Sequence, residues 1–181
     1  MFSKHAKTAF SNSGPYRDGK GSMREGGSHV PFIVHWPKKL KAGNYHGLVS
    51  ALDIAATSVA IGQGDTSGFT MDGKNMMPFL TGEQNGSVHQ ALYWRTNHDT
   101  WAVRDTKTKY LKQNQDGTEL YNMLLDPYET KNIVASSDTE RKAMAALWNK
   151  WNENNINNLY LPAGQYQQQD PRTTVSQPCF L

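Results

Sequence analysis

The chain has 181 residues, 37% of them hydrophobic and 19% charged, with a formal net charge of +3 and a mean hydropathy of −0.70; that length suits one ordinary domain or a piece of a larger one. Five Trp, eight Tyr and six Phe can bury enough area to exclude disorder throughout. The basic residues are spread out, with Lys38, Lys39 and Lys41 the densest run and no aromatic platform between them, and no apolar stretch approaches about 18 residues, so neither nucleic-acid binding nor a membrane span gains support.

Met1 to Phe10 alternate Lys, His and small residues and build no signal-peptide core. Ser11 to Gly27 are rich in Gly, Ser, Asn and Arg, the composition of a loop that needs unusual backbone angles and close main-chain approach. The apolar run Val30-Pro31-Phe32-Ile33-Val34-His35-Trp36, stopped by Pro37, predicts a buried strand. Over Val49 to Ile61, Leu52, Ala55, Ala56, Val59 and Ala60 recur at helical spacing, with Ser50 as N-cap and Gly62 as stop. A second loop over Gly62 to Gly73 leads into a short helical turn from Asn75 to Leu80, ended by Gly82. Ala91 to Arg95, Trp101 to Arg104, Lys109 to Gln113 and Glu119 to Asn122 then read as four short strands of an antiparallel meander, with Asp116-Gly117 as a turn. Thr139 to Asn152 predicts a helix that places Met144, Leu147, Trp148 and Trp151 against one face of that sheet. From Pro162 onward, Gln, Pro and Thr predict a mobile tail, which includes the single cysteine, Cys179.

Chemistry concentrates in Gly14-Pro15-Tyr16-Arg17-Asp18-Gly19-Lys20-Gly21-Ser22-Met23-Arg24-Glu25-Gly26-Gly27. A lysine between two glycines can be pressed against a small oxyanion without crowding, although an isolated Gly-Lys-Gly is more often a solvated loop. The longer run, Gly19 to Gly27 followed by Ser28-His29-Val30-Pro31 and Trp36-Pro37, resembles the pattern G-K-G-x-x-x-E-G-G-x-x-x-P of the arylsulfatase-like sulfatases. Further blocks fall in the same order as in that family. Val49-Ser50-Ala51-Leu52-Asp53 resembles its V-S-x-x-D helix, and Met71-Asp72-Gly73 with Pro78-Phe79-Leu80 and Gly82 resembles L-D-G-x-S-L-x-P-L-L-x-G. Trp101-Ala102-Val103-Arg104, Lys109-Tyr110, Glu119-Leu120-Tyr121-Asn122 and Asp126-Pro127-Tyr128-Glu129 to Ile133 resemble the signatures of its terminal subdomain.

The resemblance implies an α/β fold, the C-terminal part of an alkaline-phosphatase-like sandwich followed by a small antiparallel sheet with a packed helix. It divides the chain into the end of a catalytic domain over 1–87, the sheet subdomain over 88–161 and a tail over 162–181. It further implies hydrolysis of sulfate esters by a formylglycine hydrate beside a divalent cation, usually calcium. The C/S-x-P-x-R and D-N-G motifs that supply them are not in this sequence, and Cys179, followed only by Phe180 and Leu181, cannot be the formylglycine precursor. The expectation is therefore a sulfatase fragment, inactive alone, whose partner is an aryl or carbohydrate sulfate. A phosphodiesterase or phosphonate-ester hydrolase of the same superfamily and a non-catalytic sulfated-glycan-binding module are the alternatives. Members of the family are commonly exported or lysosomal, and this sequence does not show its own compartment.

Carried onto this chain, the sulfate contact is Lys20, the one catalytic candidate. Arg17 is a second candidate substrate contact at the mouth of the site, set against a reading as a solvated loop arginine. His29 is a third, standing where many relatives carry Arg, set against a strand-entry residue. Glu25 is expected to bond loop amides, because the sequence places no histidine or second carboxylate to pair with it. His35 reads as a core or edge histidine. His5, His46, His89 and His98 lack metal-ligand spacing, and Trp94, Trp101, Tyr110 and Tyr121 read as sheet packing rather than a sugar platform.

Overall fold

A computed structural model of the protein describes residues 13–68, 70–97, 100–113 and 116–156. Met1 to Phe10, His5, His98, Cys179 and the tail expected after Pro162 lie outside these described residues.

Four strands, β1 (Leu92–Asn97), β2 (Thr100–Arg104), β3 (Thr108–Gln113) and β4 (Thr118–Asn122), pair antiparallel in the order β1-β2-β3-β4. This is the expected meander, each strand within two residues of its sequence bounds. The register places Trp94 opposite Ala102, Arg104 opposite Lys109, and Lys109 opposite Tyr121. Side chains alternate across a strand, so that register divides the sheet chemically. One face carries Trp101, Val103, Tyr110 and Leu120; the other carries Trp94, Ala102, Arg104, Lys109, Leu111, Glu119 and Tyr121. Both faces are covered, which is why the strands read as nearly continuous apolar runs interrupted by isolated charges.

The first face is covered by helix α4 (Asp138–Asn152), whose Met144 and Trp148 are buried against Val103, Tyr110 and Leu120. Trp148 stacks on Trp101 with centroids 4.7 Å apart and planes 16° from parallel, and Trp151 stacks on Tyr93 at 4.9 Å. Asp138 and Glu140 in the first turn and Lys150 in the last complement the helix dipole. Leu147, expected on this packed side, is 37% exposed, because the stripe through Met144, Trp148 and Trp151 fills the contact and residue 147 projects past its rim.

Before the sheet come three short helices, α1 (Glu25–Ser28), α2 (Leu52–Ile61) and α3 (Met77–Leu80). Helix α2 starts later than the expected Val49, with Ala51 rather than Ser50 at its cap. Ser50 is held instead by its amide, which donates to Asp53 Oδ2 at 2.7 Å. Asp53 is fully buried, and it also accepts from the Lys74 amide at 2.8 Å and from His89 Nε2 at 2.7 Å. The face turned inward is Asp53, Ala56 and Thr57, while Leu52, Ala55 and Ala60 of the expected apolar stripe are exposed. Thr57 Oγ1 accepts from the Met76 amide at 3.0 Å, so polar anchoring fixes this helix as much as apolar area does.

The predicted buried strand over Val30 to Trp36 is not found. The run belongs to no strand, and Val30 (66%), Ile33 (88%), Phe32 and Val34 are exposed. A strand's burial depends on neighbours supplying hydrogen-bond partners and a facing surface, and among the described residues nothing pairs with this segment. His35, read as a core or edge histidine, is exposed with it.

Candidate functional site

The Gly-rich loop lies over the second face of the sheet. Met23 packs into the cluster of Ala102, Leu111, Tyr121 and Met123, and the loop's charged residues meet the charges that strand alternation puts on the same face. Arg24 makes a two-pronged contact with Glu119, Nε to Oε2 at 2.9 Å and Nη2 to Oε1 at 2.5 Å, and its Nη1 donates to Asp18 Oδ2 at 2.6 Å. Planar fork geometry of this kind is the strong form of the arginine–carboxylate pair. Burial by itself would lower the Arg24 pKa, but Glu119 and Asp18 more than reverse it and the guanidinium is raised further. Burial likewise works to raise the Glu119 carboxyl, and hydrogen bonds from Arg24 and Tyr121 hold it below its ordinary value. Tyr121, pushed up by burial and by Glu119, donates its hydroxyl to Glu119 Oε2 at 2.8 Å.

Deeper in the same face, Lys109 is fully buried with its Nζ 2.8 Å from Glu25 Oε1 and 3.1 Å from Glu129 Oε1. Arg104 Nη1 contacts Glu25 Oε2, and His29 Nδ1 approaches the same oxygen at 3.2 Å. Glu129 Oε2 accepts from the Glu25 amide at 2.8 Å. Burial would raise the Glu25 carboxyl, yet the His29 hydrogen bond and the charges of Lys109 and Arg104 bring it down to about 2. Glu129 goes the other way, raised by burial that Lys109 offsets only in part. Its Oε1 makes no hydrogen bond despite the nearby ammonium, and the residue sits at φ +57°, left-handed backbone that is uncommon outside glycine.

The lysine turn rests on this network. The Ser22 amide donates to Gly19 O at 3.0 Å, closing a turn with Lys20 and Gly21 at its centre, and Gly21 has φ +90°. A type II turn requires that sign at its third residue, hence the glycine. Lys20 projects from the turn and is exposed. Beneath it, Gly26 and Gly27 are glycines because the backbone of residues 17–22 passes directly over them. A Cβ at Gly27 would lie 2.1 Å from Ser22 O and 2.7 Å from Gly19 O, and one at Gly26 would lie 2.2 Å from Asp18 O. Gly27→Ala is therefore expected to cost about 1 to 3 kcal/mol through backbone displacement of the lysine turn. Urea denaturation of the variant checks this, and a loss below about 0.5 kcal/mol would show that the turn gives way freely.

Arg17 is half-buried, with Nη1 donating to the Tyr121 hydroxyl at 2.7 Å and to Glu129 O at 3.3 Å, so it is turned onto the sheet rather than freely solvated. His29 is partly exposed, its ring 4.7 Å from Tyr16, which in turn lies 5.6 Å from Tyr128. Glu25 was expected to bond loop amides with no histidine or second carboxylate beside it. Its carboxylate instead binds Lys109, Arg104 and His29, and Glu129 takes its amide. Sequence spacing gives no sign of Arg104, Lys109 and Glu129, which stand 79, 84 and 104 positions away, whereas His29 lies one helical turn on from Glu25 and its i,i+4 spacing was open to view. His89, which lacks metal-ligand spacing in the sequence, is the buried partner of Asp53. Of the four aromatic residues read as sheet packing, Trp101 and Tyr110 pack under α4, while Trp94 and Tyr121 join the loop face.

Among the described residues no group of three or more His, Cys, Asp or Glu side chains is placed to hold a metal ion. The residues described here thus do not fit the calcium and formylglycine that the family resemblance implies, and no chemical step is derived through either. No helix among the described residues is long and apolar enough to cross a membrane.

The profile of the family described as "N-sulphoglucosamine sulphohydrolase, C-terminal" matches residues 17–157, well over half of the chain. Arylsulfatase A of Bos taurus is 33% identical over 101 residues, which is 54% of this chain and 20% of that protein. The N-acetylgalactosamine-6-O-sulfatase of Bacteroides thetaiotaomicron is 29% identical over 137 residues, 67% of this chain and 27% of that protein. The solved structure "Crystal structure of Ps i-CgsB in complex with k-i-k-neocarrahexaose" superposes with a TM-score of 0.72 at 29% identity, covering 84% of this chain and 35% of that one. The chain thus spans between a fifth and about a third of the length of these proteins. With the profile running from the loop that carries Lys20 through the meander and helix α4, this chain belongs to the sulfatase family and corresponds to its C-terminal portion.

Proposed function

We propose that this chain supplies the lysine loop and terminal subdomain of a sulfuric ester hydrolase, with Lys20 contacting the sulfate group of the substrate. The observation that carries this reading is the lysine turn itself: an exposed ammonium on a turn whose backbone is locked from below by Gly26, Gly27 and the Arg24–Glu119 pair. A cation presented from a fixed turn can neutralise charge on the sulfate oxygens and on the departing oxygen. Positioned groups of this kind contribute about 2 to 4 kcal/mol to an oxyanion-forming step. Arg17, three residues before Lys20, and His29 are the further candidate substrate contacts, and both already engage protein groups. Residues 1–87 would extend the catalytic α/β domain, 88–161 would form the sheet subdomain and 162–181 its tail. An aryl or carbohydrate sulfate is the substrate class, and support for a sugar comes from one relative named an N-acetylgalactosamine-6-O-sulfatase and one similar structure titled as a complex with k-i-k-neocarrahexaose. The nucleophile, and the divalent cation beside it, would come from outside the described residues.

The purified chain is expected to release no phenol from an aryl sulfate above a blank, and clear turnover would overturn the proposal that it needs further machinery. Calorimetry with a sulfated oligosaccharide is expected to show binding that Lys20→Ala abolishes. Binding that survives Lys20→Ala would move recognition to the sheet and favour the glycan-binding reading.

A further inference from the structure

The turn that presents Lys20 is held from below by Gln113, which accepts from the Ser22 hydroxyl and the Met23 amide at 2.9 Å, by the Arg24–Glu119 pair, and by Glu25, and the last of these leads to Lys109. Glu25 is gripped twice: its carboxylate by Lys109 Nζ at 2.8 Å, and its amide by Glu129 Oε2 at 2.8 Å, with Glu129 Oε1 itself 3.1 Å from the same Nζ. Glu25 is followed by Gly26 and Gly27, whose amides donate to Arg17 O and Arg24 O at 2.9 Å and whose α-carbons lie against Asp18 O, Ser22 O and Gly19 O. A shift of Glu25 therefore moves the floor of the lysine turn. Lys109 in turn has no freedom of its own. It is fully buried on the central strand β3, with its Nζ 5.9 Å from the Trp94 ring centre, and opposite Arg104 and Tyr121 in register. A buried ammonium between two carboxylates is an expensive arrangement if apolar packing alone were wanted, and holding Glu129 in left-handed backbone adds to that cost.

We propose that Lys109 is a positioning residue for the oxyanion site: by clamping Glu25 and Glu129 together it fixes the Gly19–Ser22 turn and so sets where the Lys20 ammonium stands. This rests on the reading of Lys20 as the sulfate contact. The terminal sheet then acts on the chemistry at a distance, through one buried charge, rather than serving only as a cover.

The test uses the full chain, with inorganic sulfate as the probe and the amide resonances of Gly19 and Gly21 as the readout, alongside amide hydrogen exchange. Lys109→Met removes the ammonium and keeps an unbranched stem. It is expected to speed exchange at Ser22, Gly26 and Gly27 at least tenfold and to weaken the sulfate response at least threefold, with β2–β3 ladder amides such as Val103 and Leu111 unchanged. Loop exchange within twofold of the parent chain overturns the proposal. Equal acceleration of the ladder also overturns it, because Lys109 would then be a fold-wide structural residue. Where Lys109→Met fails to fold, Glu129→Gln carries the test: about threefold faster exchange at Gly26 and Gly27 supports the clamp, and no change overturns it. Lys20→Ala separates the two layers. If the sulfate response survives Lys20→Ala, or the parent chain shows none, the Lys20 assignment falls, while the exchange readout still decides the clamp.

Discussion

Glu25→Ala is expected to cost the fold about 3 to 5 kcal/mol, because it strips a buried lysine and a partly buried arginine of their shared carboxylate at once. Lys109 is fully buried and cannot turn to water, and its remaining carboxylate, Glu129, is the one whose own ionisation burial disfavours. Removing both members of the central pair, as Glu25→Met with Lys109→Met, takes away the buried ammonium together with the carboxylate it faces. The double variant is expected to be more stable than either single one, the sign that unpaired charge rather than lost contact area sets the penalty. Urea midpoints with their slopes measure all three. A Glu25→Ala loss below about 1 kcal/mol would show that this network does not hold the loop to the sheet.

The same carboxylate gives the fold an acid limit. The folded-state pKa of Glu25, about 2, lies below its ordinary value of 4.5, so its contribution is fully present above about pH 4.5 and is lost as the pH falls toward 2. The difference corresponds to about 3 kcal/mol. Glu119, also held low, works in the same direction. Glu129 works against them: its pKa is raised, so its contribution is present at low pH and lost as the pH rises through the folded value. That change lies mainly above pH 4.5, so stability is expected to fall between about pH 4.5 and pH 2 as Glu25 and Glu119 take up protons. In Glu25→Gln that fall flattens, and an unchanged slope would remove Glu25 from the account.

Trp148→Ala is expected to cost about 3 to 5 kcal/mol as well, by a different route. Trp148 is 7% exposed, stacks on Trp101 and leans on Trp151, and it joins α4 to the central strands β2 and β3. Truncation leaves a cavity between two indoles that cannot close without moving the helix. Loss of near-ultraviolet circular dichroism and a lowered urea midpoint are the expected signals. Leu147→Ala, one residue away but more than a third exposed, is the control, expected within about 0.5 kcal/mol of the parent chain. Equal losses at both positions would mean that the helix is not anchored through Trp148.

The meander and α4 were legible because each strand carries its own alternation and turn, and because Met144, Trp148 and Trp151 recur at helical spacing. The polar half of the sheet was not. Arg104, Lys109 and Glu119 look like solvated strand charges until register puts them on one face with Arg24 and Glu25 on top, and register between segments about 80 to 95 residues apart leaves no local trace. The glycine pair after Glu25 was visible as a motif, but the reason for it, two carbonyls within 2.2 Å of the missing side chains, depends on how the loop doubles back. The segment from Val30 to Trp36 misled because its composition describes a favoured neighbourhood, and this chain's described residues do not supply one. Leu52 and Ala60 failed for a related reason: helical spacing predicts a stripe, while the buried carboxylate of Asp53 decided which side turned inward.

That carboxylate has a further consequence for how the chain tolerates change. Its two oxygens bind amides at positions 50 and 74 and an imidazole at 89, so both ends of the segment from 54 to 73 are stapled to a single point. The cost of closing a loop whose ends are already pinned grows only with the logarithm of its length, about 0.6 kcal/mol for each doubling. Residues 62–68, exposed throughout, are accordingly where insertions can accumulate without disturbing the helix or the lysine turn, and length variation among homologous chains has a natural place to collect there.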